Sequence, residues 1–378
     1  MIRAKKVRLR PTEEQEKQLW QSAGTARWIF NWTLKMQEMN HRFGGKLISN
    51  NDLRKHITKM KQRPKYAWLN HVSNNIAKQA VKDACNAYKK WFDGMTGKSR
   101  FKAEKPRFKS RKKSKPAFYN DNIKLKVKSK SVLLEKIGWA KTSEQLPMNT
   151  KYSNPRISFD GKYWYVSVGI EEEKPVQTLT GEILGIDLGI KDLAIVSNGK
   201  VYKNINKTGK VRKIEKRLRR LQRNVSRKYD MNKEGNRFVK TCNIYKLEKN
   251  IRHTHRKLAN IRQNHLHQTT TEIVKTKPSR IVVETLNVKG MMKNKHLAKS
   301  VAQQKFYEFK RQLQYKCEDY NIELVEADKF YPSSKLCYEC GHKKIDLKLS
   351  DRTYHCDKCG YTADRDYNAS LNLASYSA

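Results

Sequence analysis

Ile183-Leu184-Gly185-Ile186-Asp187-Leu188-Gly189-Ile190 is an apolar run interrupted by one acid, and it reads as the first strand of an α/β region that begins near residue 181. A second strand, Leu193-Ala194-Ile195-Val196, reaches the turn dipeptide Asn198-Gly199, and Val201-Tyr202 begins the return. Two strongly basic helices are expected over about 209–229 and 243–275, followed by the strands Ile281-Val282-Val283-Glu284 and Ile322-Glu323-Leu324-Val325. A carboxylate at a sheet centre is costly unless it is paired, protonated or bound to a cation. Asp187 lies inside its strand and Glu284 ends another, so two such strands side by side would bring the acids together.

Further along, Cys337-x2-Cys340 and Cys356-x2-Cys359 form a C-x2-C-x15-C-x2-C frame. Two tight Cys-x-x-Cys turns can close a tetrahedral thiolate site, so the frame reads as a zinc ribbon with one structural Zn²⁺ and no open coordination position. Asp364-Arg365-Asp366 follows at a helix start, where Asp366 would complete a trio with Asp187 and Glu284. Three carboxylates on a rigid sheet suit two Mg²⁺ ions about 3.5–4 Å apart, as phosphodiester hydrolysis requires. Each acid also has an ordinary reading: Asp187 as a turn residue, Glu284 as a surface acid at a strand end, Asp366 as a helix cap. Gly185 and Gly189 flank Asp187 and would let substrate backbone or metal approach closely. Asn368 and Asn372, one turn apart, either orient Asp366 or cap neighbouring groups.

Ahead of residue 181 the pattern differs. Lys6-Val7-Arg8-Leu9-Arg10 alternates like a short strand, and Thr12-Glu13-Glu14-Gln15 reads as a capping box opening a helix through Trp20. A second helix would carry Ala26, Ile29, Phe30, Thr33 and Leu34, and a third Ile76, Ala80, Ala84, Tyr88 and Trp91. The basic run Lys105-Pro106-Arg107-Phe108-Lys109-Ser110-Arg111-Lys112-Lys113 is either a solvated linker or a phosphate clamp with Phe108 available to stack. Ile123, Leu125 and Val127 alternate as a strand would, and Asp160-Gly161 joins two alternating runs as a hairpin. With the first strand, that hairpin would close a small barrel with Trp164, Val166, Val168 and Ile170 inside.

The 378 residues hold 82 Lys and Arg against 36 Asp and Glu, a formal charge of +46. Self-repulsion of that size opposes compactness, and a polyanion relieves it. A duplex of about 20 base pairs carries roughly 40 phosphates, so an extended duplex matches the excess better than a small ligand. Lys216-Arg217-Leu218-Arg219-Arg220-Leu221 suits a helix laid along such a duplex, with a solvated coiled-coil face as the alternative. Cys85, Cys242 and Cys317 are scattered, which suits a reducing interior. No secretory signal and no run of about 18 apolar residues is seen. The expectation is a cytoplasmic, nucleoid-associated protein with no membrane contact.

Gly185-Ile186-Asp187-Leu188-Gly189, Val283-Glu284, Tyr331-Pro332-Ser333-Ser334-Lys335, the two Cys-x-x-Cys pairs and Asp364-Arg365-Asp366-Tyr367-Asn368-Ala369 together resemble the TnpB family. These proteins are encoded by insertion-sequence transposons and are related to type V CRISPR nucleases; the resemblance spans essentially the whole chain. It implies an α+β multidomain fold in four parts. A wedge-like β-barrel domain would comprise 1–10 and 117–180, with a helical recognition domain and basic linker at 11–116. An RNase H-like (RuvC-type) nuclease domain would comprise 181–335 and 363–378, with the zinc ribbon at 336–362 inserted. The implied activity is RNA-guided cleavage of double-stranded DNA beside a short flanking motif, with a transposon-encoded guide RNA and target DNA as partners. Asp187, Glu284 and Asp366 would be the catalytic Mg²⁺ ligands, with Asp364 a possible fourth. Ser333, Ser334 and Lys335 join Lys105, Arg107, Phe108, Lys109, Arg111, Lys216, Arg217, Arg219 and Arg220 as candidate nucleic-acid contacts. Transposase-type strand transfer and a non-catalytic regulator are the alternatives. The large charge favours a long bound RNA over a short terminal DNA hairpin.

Overall fold

A computed structural model of the chain describes residues 2–99, 103–111, 113–148, 150–173, 177–348 and 350–377. They fall into two compact units, 1–173 and 174–378. Lys112 of the basic run lies outside the described residues. Among the described residues no helix is long and apolar enough to cross a membrane.

The first unit opens with β1 (Ile2–Arg10) and α1 (Glu13–Arg42). The capping box closes in both directions: the Gln15 amide donates to Thr12 Oγ1 at 3.3 Å and the Thr12 amide donates to Gln15 Oε1 at 3.1 Å. The two helices expected here are one, because the buried stripe of Leu19, Ala23, Ala26, Ile29, Phe30 and Leu34 continues through Gly24 without a break. Burial along that stripe outweighs the roughly 1 kcal/mol that a mid-helix glycine costs. After α2 (Asn50–Met60), a 3₁₀ turn (Pro64–His71) and α3 (Asn74–Met95) come the short strands β2 (Ala117–Tyr119), β3 (Lys126–Lys128), β4 (Ser131–Leu134) and β5 (Gly138–Thr142). The hairpin of β6 (Tyr152–Phe159) and β7 (Trp164–Glu171) completes the unit.

The seven strands run in the order β2-β6-β7-β1-β5-β4-β3. The end strands β2 and β3 are not paired with each other, so this sheet is not the closed barrel expected. The Asp160-Gly161 hairpin forms as expected, with Gly161 at φ 99° and Asp160 Oδ1 accepting from the amides of Lys162 and Tyr163. Trp164, Val166, Val168 and Ile170 alternate into the core. Ile123 does not join a strand; it sits on a turn organised by Asp121 Oδ1 and is 82% exposed.

The second unit is built on β8 (Ile183–Leu188), β9 (Asp192–Val196), β10 (Val201–Lys203), β13 (Arg280–Val283) and β14 (Glu323–Glu326), in the order β10-β9-β8-β13-β14. β8 pairs antiparallel with β9 and parallel with β13, and β13 pairs parallel with β14. Between β10 and β13 run α4 (Gly209–Met231), a small ribbon of β11 (Lys233–Glu234) and β12 (Arg237–Phe238), and α5 (Cys242–Lys275). Val211, Ile214 and Leu218 form an apolar stripe against Ile251, Leu258 and Ile261 of α5, leaving Lys216, Arg217, Arg219 and Arg220 exposed. Then come α6 (Val288–Met291), α7 (Ala298–Gln304), α8 (Phe306–Tyr320), the hairpin β15 (Thr353–His355) with β16 (Thr362–Asp364), and α9 (Arg365–Ala374).

Strand alternation gives the sheet two distinct faces. Leu184, Ile186, Ile281 and Val283 pack with Leu266 and Ile273 of α5 and Phe309 and Leu313 of α8. Val282 points the other way and packs with Ala327 and with Leu373 of α9. Gly185, opposite Val282 in the register, lies on that same face.

Candidate active site

The parallel register pairs Gly185 with Val282 and Ile186 with Val283. The next residue on each strand is an acid, Asp187 and Glu284, so both carboxylates leave adjacent strand ends at one level. Side chains two apart share a face, so Asp187 lies on the side of Gly185 and Glu284 on the side of Val282, both toward α9. Ligands of open α/β sheets gather at these carboxyl ends.

Gly185 sets how close α9 comes. A Cβ there would lie 2.0 Å from the Ser370 carbonyl oxygen and 2.4 Å from the Ala374 nitrogen. The glycine therefore makes room for the helix backbone, not for substrate or metal as expected; a Cβ on Gly189 would meet the Asp192 carbonyl oxygen at 3.1 Å, a contact within its own turn. With Ser370 against Gly185, Asp366 lies four residues earlier, about 6 Å along the axis. That step matches the two-residue rise of about 6.6 Å from Gly185 to Asp187. Electrostatics agrees. Burial raises Asp187 well above its ordinary value of 3.8, and the negative charges of Glu284 and Asp366 raise it further. Glu284 is also raised above 4.5, by burial and then by Asp366. Two carboxylates that resist ionisation beside the charge of a third form a natural seat for cations.

Asp364 is divided from this trio by its local role. Its Oδ1 accepts from the amides of Asp366 and Tyr367 at 3.0 and 3.1 Å, so Asp364, not Asp366, is the N-cap of α9. Asp366 instead meets cations: Arg365 Nε and Nη2 both donate to its Oδ1, at 3.0 and 2.7 Å, and Arg352 Nη1 lies 3.8 Å from its Oδ2. Sequence reasoning passed over both arginines, although Arg365 stands between two acids.

Asn368 and Asn372 bond to neighbouring backbone groups rather than to Asp366. Asn368 Nδ2 donates to the Leu336 carbonyl while its Oδ1 accepts from the Tyr338 amide, and Asn372 Nδ2 donates to the carbonyls of Ser333 and Leu336. Both are buried and tie α9 to the stem of the cysteine ribbon. Ser333 is itself buried, and Lys335 Nζ donates to the Ile345 carbonyl at 2.9 Å. Of the three residues here expected to touch nucleic acid, Ser333 is buried, while Ser334 and Lys335 are partly exposed.

The ribbon repeats one backbone device twice. In Cys337-Tyr-Glu-Cys340-Gly341 the Gly341 amide donates to the Cys337 carbonyl, and in Cys356-Asp-Lys-Cys359-Gly360 the Gly360 amide donates to the Cys356 carbonyl, both at 2.9 Å. The glycines take φ 69° and 77°, which L side chains rarely adopt. The four Sγ atoms lie within 4.8 Å of one another, and the Cys337–Cys359 and Cys340–Cys356 pairs are 3.6 Å apart. A tetrahedron with metal–sulfur distances of about 2.3 Å has edges of about 3.8 Å, so the set fits a structural zinc ion. Among the described residues this is the one group of metal-binding side chains that tight. The two pairs sit on β15–β16 and the preceding loop, and β16 runs directly into the α9 cap.

Of the basic candidates in the first unit, the run from 103 to 111 is docked rather than free. Asn31 of α1 donates to the Lys109 carbonyl at 2.9 Å and accepts from its amide at 2.7 Å. Lys109 Nζ stands 3.5 Å from the Phe30 ring centroid, and Lys105 pairs with Glu38 at 3.6 Å. Arg107 pairs with Glu104 at 2.9 Å on the open surface, Phe108 is 53% exposed, and Arg111 is exposed.

Three family models match: one described as "Cas12f1-like, TNB domain" over residues 306–373, one as "Probable transposase" over 165–295, and one as "Helix-turn-helix domain" over 1–46. Over that last stretch the helical structure is the single helix α1. The chain is 30% identical over 390 residues to the Escherichia coli K12 protein named "Putative RNA-guided DNA endonuclease InsQ", covering 98% of this chain and 91% of that one. It is 31% identical over 379 residues to a Streptomyces pristinaespiralis protein of the same description, covering 98% and 88%. Similarity to the CRISPR-associated endodeoxyribonuclease Cas12f1 of Sulfoacidibacillus thermotolerans is 26% over 275 residues, covering 69% and 62%. Among solved structures, the fold resembles Cas12f1 in its complex with guide RNA and target DNA, with a TM-score of 0.56, 15% identity, and 96% and 82% of the two chains covered. It also resembles the mini RNA-guided endonuclease CRISPR-Cas_phi3, with a TM-score of 0.53, 11% identity, and 99% and 92% covered. A multidomain α+β architecture, a four-cysteine ribbon and full-length similarity at this level place the chain in the TnpB family.

Proposed function

We propose that this protein is an RNA-guided endonuclease that cuts double-stranded DNA beside a short flanking motif, with Asp187, Glu284 and Asp366 as its catalytic carboxylates. The observation that supports the proposal is the β8–β13 register, whose next residues are Asp187 and Glu284, together with the close approach of α9 at Gly185. Mg²⁺ ions held by these residues would activate a water and stabilise the leaving oxygen of an in-line phosphodiester displacement. The chain's own part is to hold three oxygen donors rigidly at strand ends and on a capped helix. A preformed site of this kind avoids reorganisation when the phosphate arrives.

In this reading the second unit is a RuvC-like nuclease domain of RNase H type, comprising 181–335 and 363–378, with the ribbon at 336–362 as its insertion. Residues 1–10 and 117–180, which include all the strands of the first unit, act as a wedge, and residues 11–116 as a recognition domain. The exposed basic face of α4, with Lys216, Arg217, Arg219 and Arg220, and the exposed Arg107, Phe108 and Arg111 neutralise and stack on bound nucleic acid. Sequence is read by pairing between guide RNA and DNA, which leaves the protein only the flanking motif to recognise.

Purified protein with its co-encoded RNA, matched plasmid and Mg²⁺ is expected to give guide-dependent double-strand breaks. Asp187→Ala is expected to abolish cutting and keep RNA and DNA binding. Cutting without RNA would refute guidance, and an Asp187→Ala variant that still cuts would refute the site. Joined rather than broken DNA ends would instead identify strand transfer.

A further inference from the structure

Arg365 sits where a cation has work to do. Its Nε and Nη2 converge on one oxygen of Asp366, while Arg352 approaches the other oxygen from the ribbon. Arg365 is well enclosed, its side chain 13% exposed against 20% for Asp366, whereas Arg352 is 52% exposed. The two arginines are joined through the backbone, the Arg365 amide donating to the Arg352 carbonyl at 2.8 Å. The contact is thus built by the residue that leads into β15 and the first turn of α9.

We propose that Arg365 is the resident counter-ion of the acid site: its guanidinium occupies the Asp366 carboxylate until a divalent cation displaces it, and this competition sets the cation concentration at which the site fills. The inference rests on the function proposed above and adds regulation of that same site. A guanidinium suits the task because it stays charged at every physiological pH and makes directed bonds to a carboxylate. A carboxylate oxygen taking two N–H bonds is a poorer ligand for a metal ion until those bonds break. A trio of acids crowded on one face would otherwise repel itself whenever no metal ion is bound. Arg352, more exposed and farther away, reinforces the hold only weakly.

The test is Mn²⁺ binding to the zinc-loaded full chain with its co-encoded RNA, read from the free-ion EPR signal, so no turnover is required. Arg365→Ala is expected to lower the half-saturating Mn²⁺ concentration at least about tenfold, the effect of losing the charge-assisted pair of hydrogen bonds to Asp366. It is also expected to lower the melting temperature in EDTA and to regain it on adding Mn²⁺. Arg365→Lys keeps the charge without the fork and should fall between, which covers the case in which the alanine variant does not fold. A merely structural arginine would loosen the site and weaken binding. Unchanged or weaker Mn²⁺ binding in both variants, with wild-type binding that disappears in Asp187→Ala, overturns the counter-ion role alone. Absence of Mn²⁺ binding in wild type overturns it together with the metal-dependent function.

Discussion

Replacing Gly185 by Ala tests the geometry that joins the sheet to the third acid. The new methyl carbon would fall 2.0 Å from the Ser370 carbonyl oxygen and 2.4 Å from the Ala374 nitrogen, both backbone atoms of α9. Ordinary contact begins at about 3.4 Å, so the helix must retreat by about 1.4 Å or the strand must buckle. No side-chain rotation relieves a clash with backbone. Overpacking of this kind costs about 1–3 kcal/mol, which for a unit of about 200 residues lowers the melting temperature by on the order of 2–10 °C. The catalytic effect should be larger than the stability effect, because Asp366 rides on the displaced helix one turn from Ser370. A shift of about 1 Å in a catalytic group costs on the order of 10²-fold in rate. The assays are thermal denaturation of the second unit's transition and single-turnover cleavage of a matched duplex at saturating Mg²⁺. Gly24→Ala, where a Cβ meets nothing within 4 Å, is the control and should be neutral or slightly stabilising. If Gly185→Ala keeps both wild-type melting and wild-type cleavage, α9 does not depend on that contact and the derivation of the site is wrong.

Two further outcomes follow from the same elements. Removing zinc, by chelation or by Cys340→Ser, should reduce cleavage by on the order of 10²-fold although zinc takes no part in the chemistry. The ribbon's last strand ends on Asp364, whose carboxylate caps α9 two residues before Asp366; full cleavage by protein shown by metal analysis to be zinc-free would contradict this. In EDTA, Asp187 and Glu284 have folded pKa values above their ordinary 3.8 and 4.5. Their contribution to stability is therefore fully present below those ordinary values and is lost as pH rises through the raised ones. Asp187→Asn should flatten that decline in a pH series of melting curves, and an identical slope in both proteins would show that the carboxyl is not strained.

Much of the architecture was legible in contiguous residues. The capping box at Thr12–Gln15, the alternation of Trp164 to Ile170, the Asp160-Gly161 and Asn198-Gly199 turns, and the two cysteine knuckles each depend on neighbours in the chain, and each forms. Where the sequence misled, a competing interaction from elsewhere decided. Two helices were expected over the stretch that α1 spans, but its buried stripe runs on through Gly24 as one. Ile123, Leu125 and Val127 alternate as a strand would, yet Asp121 captures the amides of Ile123 and Lys124 and turns the chain instead. The first strand and the Asp160-Gly161 hairpin suggested a closed barrel, but among the described residues β2 and β3 end the sheet unpaired with each other.

The site divides along the same line. Composition and motif alone identified Asp187, Glu284 and Asp366 as candidates and the four cysteines as a metal frame, because an acid in an apolar strand and a doubled Cys-x-x-Cys are unusual within their own few residues. Only the folded chain decided that Gly185 serves α9, that Asp364 is the cap, that Asn368 and Asn372 anchor the ribbon stem, and that Arg365 grips Asp366. Local periodicity and turn chemistry are paid in bonds between near neighbours, whereas these roles arise from strand register and helix approach between segments far apart in the chain. Such distances are set by the packing of whole elements, and no short stretch of sequence carries them.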